Sequence, residues 1–233
     1  MKDSIHILST ASLNEDLLQR LDAGNRQTKV AAFIRIVTDV TKPLRDRISR
    51  LQAQPATVIF TSANAVHPVG KLLQGNVNLI IYCIGGATRD AVTEYFGGSS
   101  IQDVGDNAAD LVKKVMLARP ASVLFFCGNE RMDTIPQRLT ANGIAVEEIE
   151  VYRTELQPQV MEENFDAVLF FSPSGVKSFF SSNTIDASAI CFAIGPTTAA
   201  EIEVYTKNKI VVAGQPGKKE MIDAVINFYD GHD

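Results

Sequence analysis

The sequence predicts an α/β protein made of two similar units, each built on a parallel sheet. Three observations predict this. Short apolar runs alternate with amphipathic stretches along the whole chain, the stretches carry helix start and stop signals, and a pair of strand–turn–helix motifs recurs at one fixed offset.

The apolar runs are Ile5–Leu8, Ala56–Phe60, Leu79–Ile84, Ser122–Cys127, Ala167–Phe171, Ala189–Ile194 and Ile210–Ala213. Continuous runs of this length suit strands covered on both faces, as in a parallel sheet. Between them, Ser12 followed by Glu15 forms a capping box, and Gly24 can end that helix. Thr41 followed by Pro43 starts a second helix. Asp106 ahead of Ala108-Ala109-Asp110-Leu111 starts another, and Asn142-Gly143 stops one more. Strand and helix alternating throughout is the pattern of an α/β fold with parallel sheets.

The repeat is explicit. Val58-Ile59-Phe60-Thr61-Ser62-Ala63-Asn64-Ala65-Val66 resembles Val168-Leu169-Phe170-Phe171-Ser172-Pro173-Ser174-Gly175-Val176. Ile84-Gly85-Gly86-Ala87-Thr88 resembles Ile194-Gly195-Pro196-Thr197-Thr198, and the step from Ile84 to Ile194 equals the step from Val58 to Val168. After Tyr152 only three strong strand runs remain, so the N-terminal strand and helix are needed to complete the second sheet. The expected domains are therefore 1–37 with 154–233, discontinuous, and 38–153. Val30–Val37 and Val146–Arg153, free of Gly and Pro, are the expected two-stranded crossing between them.

Composition excludes several classes. The chain has 233 residues, 45% hydrophobic and 21% charged, with a net charge of −5. That charge disfavours wholesale binding to nucleic acid or an anionic membrane surface. Cys83, Cys127 and Cys191 lack metal spacing and fit reduced, buried thiols of a cytoplasmic protein. Met1–Ser4 leads into only a short strand-like run, too little for a signal peptide, and no apolar run approaches membrane-spanning length.

In open α/β sheets ligands bind outside the carboxyl ends of the strands, and all four repeated turns lie there. Ser62 and Ser172 stand at N-cap positions, and Pro173 and Pro196 fit the first helical position. Gly85 and Gly195 let the backbone approach a ligand. Free amides and the positive helix end make each turn either a carboxylate site or simple capping. Ser62, Thr88, Ser172 and Thr198 are expected to face a common interdomain space. Arg131, in Gly128-Asn129-Glu130-Arg131, pairs either with a substrate carboxylate or with a nearby acid. Tyr152 either points its hydroxyl into the cleft or serves hinge packing. His67, in a helix, and His232, in the tail, read as structural or solvent-exposed. No metal cluster, Walker loop, complete dinucleotide fingerprint or Gly-x-Ser-x-Gly elbow is present in the sequence.

Together these strings resemble the uroporphyrinogen-III synthase family over nearly the whole chain. Phe60–Val66 looks like its first signature, Phe171–Val176 like its second, and Ala193-Ile194-Gly195-Pro196-Thr197-Thr198-Ala199 like its most recognisable string. Val151-Tyr152-Arg153-Thr154 fits the crossing that carries the family's tyrosine. Many members begin with a strand ending in Thr-Arg; here Thr10 is followed by Ala11, so that arginine's contact is absent and Thr10 is a doubtful site residue.

The resemblance implies two flavodoxin-like domains and a lyase that cyclises hydroxymethylbilane, a linear tetrapyrrole with eight carboxylates. The hydroxyl leaves the first ring, the last ring attacks through its substituted carbon, and the spiro intermediate reopens and closes with ring D inverted. It implies Tyr152 as the catalytic residue and no metal, nucleotide or flavin. The implied substrate-binding residues lie in the first turns of each unit, Thr61, Ser62, Ala63, Gly85 and Thr88, then Gly128 and Arg131. Their counterparts are Ser172, Pro173, Ser174, Gly195, Thr197 and Thr198. A monomer taking its substrate by hand-off from hydroxymethylbilane synthase is expected. The competing reading is a two-domain small-molecule or tetrapyrrole binder without catalysis.

Overall fold

The computed structural model describes residues 4–38, 40–73 and 77–231; His232 lies outside them. The elements run β1 (Ile5–Ser9), α1 (Glu15–Asp22), β2 (Arg26–Val30), β3 (Ile34–Val37), α2 (Lys42–Ser49), β4 (Ala56–Phe60) and α3 (Ala63–Leu72). They continue with β5 (Leu79–Ile84), α4 (Ala87–Phe96), β6 (Ile101–Gly105), α5 (Ala108–Ala118), β7 (Ser122–Gly128), α6 (Thr134–Ala141) and β8 (Ala145–Leu156). The last are β9 (Ala167–Phe170), α7 (Pro173–Phe180), β10 (Ile190–Ala193), α8 (Pro196–Tyr205), β11 (Ile210–Val212) and α9 (Lys218–Asp230).

The chain forms two compact units, Met1–Arg35 with Glu155–Asp233 (unit 1) and Ile36–Thr154 (unit 2). The sheet of unit 1 has the order β11-β10-β9-β1-β2, with every pair parallel. The other sheet has the order β3-β8-β7-β4-β5-β6, parallel from β8 to β6. The repeated motifs set β4 against β9 and β5 against β10. The remaining strands then correspond as β6 to β11, β7 to β1 and β8 to β2. The two sheets thus share one spatial order, and unit 1 is a circular permutation of unit 2. Counted from its own N-terminus, unit 1 reads 2-1-3-4-5, the flavodoxin order.

Each sheet is covered on both faces, which explains the unbroken apolar runs. In unit 2 one face packs Phe60, Val66, Ile81 and Val92, and the other Ile59, Leu111, Phe125 and Leu139. In unit 1 the corresponding layers hold Leu8, Phe170, Val176 and Ile202, and Ile7, Leu169, Met221 and Val225.

Three expectations need correction. Val30–Val37 is not one crossing segment. β2 ends at Val30 and β3 begins at Ile34, because Phe33 is fully buried in unit 1, edge-on to Phe179 at 5.2 Å between ring centroids. α1 starts from Asn14, whose side chain accepts from the Leu17 amide at 3.0 Å, not from Ser12. α5 starts from Asn107, which accepts from the amides of Ala109 and Asp110 at 3.0 Å each, not from Asp106. In both cases a neighbouring cap-capable residue wins because its oxygen reaches the free amides.

The cysteines lie in strands and are free and buried. Burial pushes the Cys83 and Cys127 thiols up to about 11 and Cys191 to about 12. Their thiolates are thus disfavoured in the folded state, while the unfolded chain ionises near its ordinary value of about 8.5. Above that pH the unfolded state binds fewer protons, so stability falls as pH rises, by up to about 1.4 kcal/mol per thiol per pH unit. Urea midpoints should accordingly be flat below about pH 8 and decline between about 9 and 11. The decline should be shallower in Cys191→Ala, and an equal slope in that variant would remove this thiol as its cause.

Candidate active site

Where successive strands are added on opposite sides of a starting strand, their carboxyl ends leave a crevice. In unit 2 this point lies between β4 and β7, and in unit 1 between β9 and β1. Ser62 leaves β4 and caps α3, its side chain accepting from the Asn64 amide at 3.2 Å. Ser172 leaves β9 and caps α7, accepting from the Gly175 amide at 3.0 Å.

Tyr152 joins Ser62 through an irregularity in β8. The β7–β8 register shifts between Cys127, opposite Glu150, and Gly128, opposite Tyr152. Strict alternation would turn Tyr152 away from the core face occupied by Ile149 and Val151. The bulge re-aims it, and its ring packs against that core. A Cβ on Gly128 would come within 2.4 Å of the Tyr152 Cζ, so Gly128 is the seat of this ring. Burial holds the Tyr152 phenol above its ordinary value; a hydrogen bond with the Ser62 side chain works against this, and Cys127 adds to it. Asn129 fixes the next turn. It donates to the Thr154 carbonyl at 3.3 Å and accepts from the Thr154 amide at 2.7 Å.

The remaining expected residues divide by placement. Thr61, Ser62 and Ala63 are half-buried at the start of α3, as are Ser172 and Pro173 at the start of α7. Thr88 is 6%, Ser174 7% and Thr198 1% exposed, so these three residues are buried. Thr197 is exposed and Gly195 buried. Three first-turn amides, those of Ala63, Ser174 and Thr197, have no partner among the described residues. The Gly85 amide is taken by the Gly105 carbonyl at 3.1 Å, and the left-handed residue of that turn is Gly86, at φ 67°. Arg131 pairs with Asp133 and Glu148 of its own unit, so of its two readings the structure has the nearby acid. Thr10 is 2% exposed and its hydroxyl donates to the Leu169 carbonyl at 2.7 Å, a structural role. His67 is exposed on α3.

The sequence profile of the family described as uroporphyrinogen-III synthase HemD matches residues 15–223. The chain belongs to this family. Uroporphyrinogen-III synthase of Saccharomyces cerevisiae is 28% identical over 179 residues, which is 65% of this chain and 65% of that protein. The chain thus spans slightly under two thirds of that relative's length.

Two solved structures share the fold. A mutant uroporphyrinogen III synthase of Thermus thermophilus superposes with a TM-score of 0.68 at 14% identity, over 98% of this chain and 100% of that one. The uroporphyrinogen-III synthetase of Helicobacter pylori superposes with 0.65 at 18% identity, over 96% and 99%. Both identities are low enough that the likeness concerns the fold alone.

Sequence reasoning missed three structural features around these turns. Asn129 carried only the weak signal of a polar residue after a strand. Gly86 was passed over for Gly85, although a Gly-Gly pair leaves open which one is left-handed. The β8 bulge has no local sequence mark.

Gly128→Ala should destabilise unit 2 by about 1–3 kcal/mol, since its methyl overlaps the Tyr152 ring. In a Tyr152→Ala background the same change should cost much less. A double-mutant cycle by urea unfolding checks this, and additive costs would show that the ring is not the obstacle.

Proposed function

We propose that the chain is a uroporphyrinogen-III synthase, cyclising hydroxymethylbilane with loss of water and inversion of ring D. The observation that carries the reading is the Tyr152 hydroxyl beside Ser62 at the carboxyl edge of β4 and β7, in a chain whose family match runs from residue 15 to 223.

The substrate is intrinsically reactive: an electron-rich pyrrole expels its own hydroxyl and can close unaided to the wrong isomer. The protein's work is to hold a conformation and steer the closure, which is catalysis by orientation. The free amides of Ala63, Ser174 and Thr197 bind substrate carboxylates at helix N-termini without a basic surface. Thr88 and Thr198 act through the shape of their turns, and Thr61, Pro173, Gly85 and Gly195 through backbone approach.

The departing hydroxyl needs a proton. Tyr152 supplies it, directly or through a water, and the raised phenol stays protonated at neutral pH. A phenol is a weak acid, so its share is at the lower end of general acid catalysis, about 10²-fold. No resident metal or cofactor enters the mechanism. We place the protein in the cytoplasm as a monomer. Direct receipt of the short-lived substrate from hydroxymethylbilane synthase would limit its unaided closure.

A coupled assay with freshly made hydroxymethylbilane should give isomer III in excess over isomer I. Tight tetrapyrrole binding without turnover would make the chain a binder instead. Tyr152→Phe should lower kcat about 10²-fold with a nearly unchanged melting temperature. Near-normal turnover in that variant would reduce Tyr152 to packing.

A further inference from the structure

Arg45 on α2 and His67 and Lys71 on α3 surround a cavity of about 320 Å³ in unit 2, closed on another side by Thr38 and Val40. The volume lies at the lower end of ligand pockets. Asn64, His67, Pro68 and Lys71 share one face of α3.

Several basic side chains are held by carboxylates within their own unit. Arg20, Arg26, Arg35, Arg47 and Arg131 each have a carboxylate partner. No carboxylate partner is seen for Arg45 or Lys71 among the described residues. Arg45 and Lys71, two unpaired cations lining one cavity in a chain of net charge −5, make a local attractor for an anion, with the His67 ring beside them. Lys71 in the last turn of α3 also favours the helix dipole, but that does not explain Arg45. The His67 ring is steadied edge-on to Tyr95, at 5.7 Å between centroids.

Asn64 also lines the cavity. Pro68 lies inside α3 and has no N–H, so the Asn64 carbonyl lacks the donor that the helix would otherwise supply. A ligand that satisfies both features carries a carboxylate and, a short way from it, an N–H. A pyrrole ring with acid side chains is such a ligand. The Asn64 amide donates to the side chain of Ser62, which lies beside Tyr152, so the cavity adjoins the candidate chemistry within one unit.

We propose that this cavity is a subsite for one acid-bearing pyrrole ring of the substrate. Arg45 and Lys71 hold its carboxylate, His67 lines the entrance, and the Asn64 carbonyl accepts the pyrrole N–H. The assignment rests on the synthase reading above.

The test is the full-length Arg45→Gln/Lys71→Gln double variant, whose altered side chains are both exposed. It should raise KM for hydroxymethylbilane about tenfold, leave kcat within about twofold and leave the isomer ratio unchanged. Added potassium chloride should raise the wild-type KM and barely affect that of the variant. In parallel, the His67 ring resonances of the wild-type protein are followed during titration with porphobilinogen, a stable monopyrrole with two carboxylates. A saturable shift that the double variant loses is expected. An unchanged KM in the folded, active variant overturns the subsite. If the wild type makes no isomer III, the synthase reading falls and with it the substrate subsite, while the titration separately decides whether the cavity binds an acid-bearing pyrrole: a saturable shift dependent on Arg45 and Lys71 keeps that binding, and no shift removes it. Should the double variant not fold, Arg45→Gln alone is read the same way, with about a threefold rise in KM expected.

Discussion

The pairing of β1 with β9 is the constraint on which the rest of the molecule depends. Ile7, Leu8 and Ser9 lie opposite Ala167, Val168 and Leu169, although the whole of unit 2 separates the two strands in the chain. The seam is fastened at both ends. The His6 amide donates to the Asp166 carboxylate at 2.9 Å and the Asp166 amide to the His6 carbonyl at 2.8 Å, while the Thr10 amide and hydroxyl both reach the Leu169 carbonyl. With β1 inside its sheet, between β9 and β2, unit 1 closes only after the chain has passed through all of unit 2. Unit 2 is continuous and has no such requirement. The circular permutation follows from this: where unit 2 connects α5 to β7, unit 1 has the two ends of the chain.

The equivalence of the two sheets makes their differences informative. At each switch point a serine caps the helix that leaves the starting strand. In unit 1 the neighbouring space is filled by Thr10, whose hydroxyl is spent on Leu169 and lies 3.7 Å from where a Cβ of Gly175 would be. In unit 2 the corresponding space opens onto Gly128, and the missing side chain admits the Tyr152 ring. A phenol that would otherwise lie on the outer face of β8 is thereby held beside a serine, partly desolvated. The same fold thus provides two helix-capping turns and one phenol placed beside a cap, and the asymmetry comes from one bulge and one glycine.

Much of the fold was legible because its signals are local. The seven apolar runs all fall on observed strands, since a strand buried on both faces has no polar positions to hide it. β2, Arg-Gln-Thr-Lys-Val, and β6, Ile-Gln-Asp-Val-Gly, escaped notice because edge strands carry polar residues. The caps of α1 and α5 were misplaced by a position or two because Ser12 and Asn14, or Asp106 and Asn107, are equally able to cap. Arg131 illustrates the limit for the site. Its position after a strand suited a ligand contact, but Asp133 and Glu148 reach it first, the latter from β8 on the far side of α6 in the chain.

By itself the sequence determined the alternation of strand and helix, the recurrence of the two strand–turn–helix motifs and the need for the N-terminal strand in the second sheet. Each of these is written in residue type and spacing, and spacing over a short stretch is enough to set a cap, a turn or a buried run. Only the tertiary structure decided the permuted strand order, the burial of Thr88 and Thr198, the capture of Arg131 and the placing of Tyr152 on Gly128. Those depend on which distant side chains are brought into contact, and hydrogen bonds, ion pairs and close packing are decided at that range.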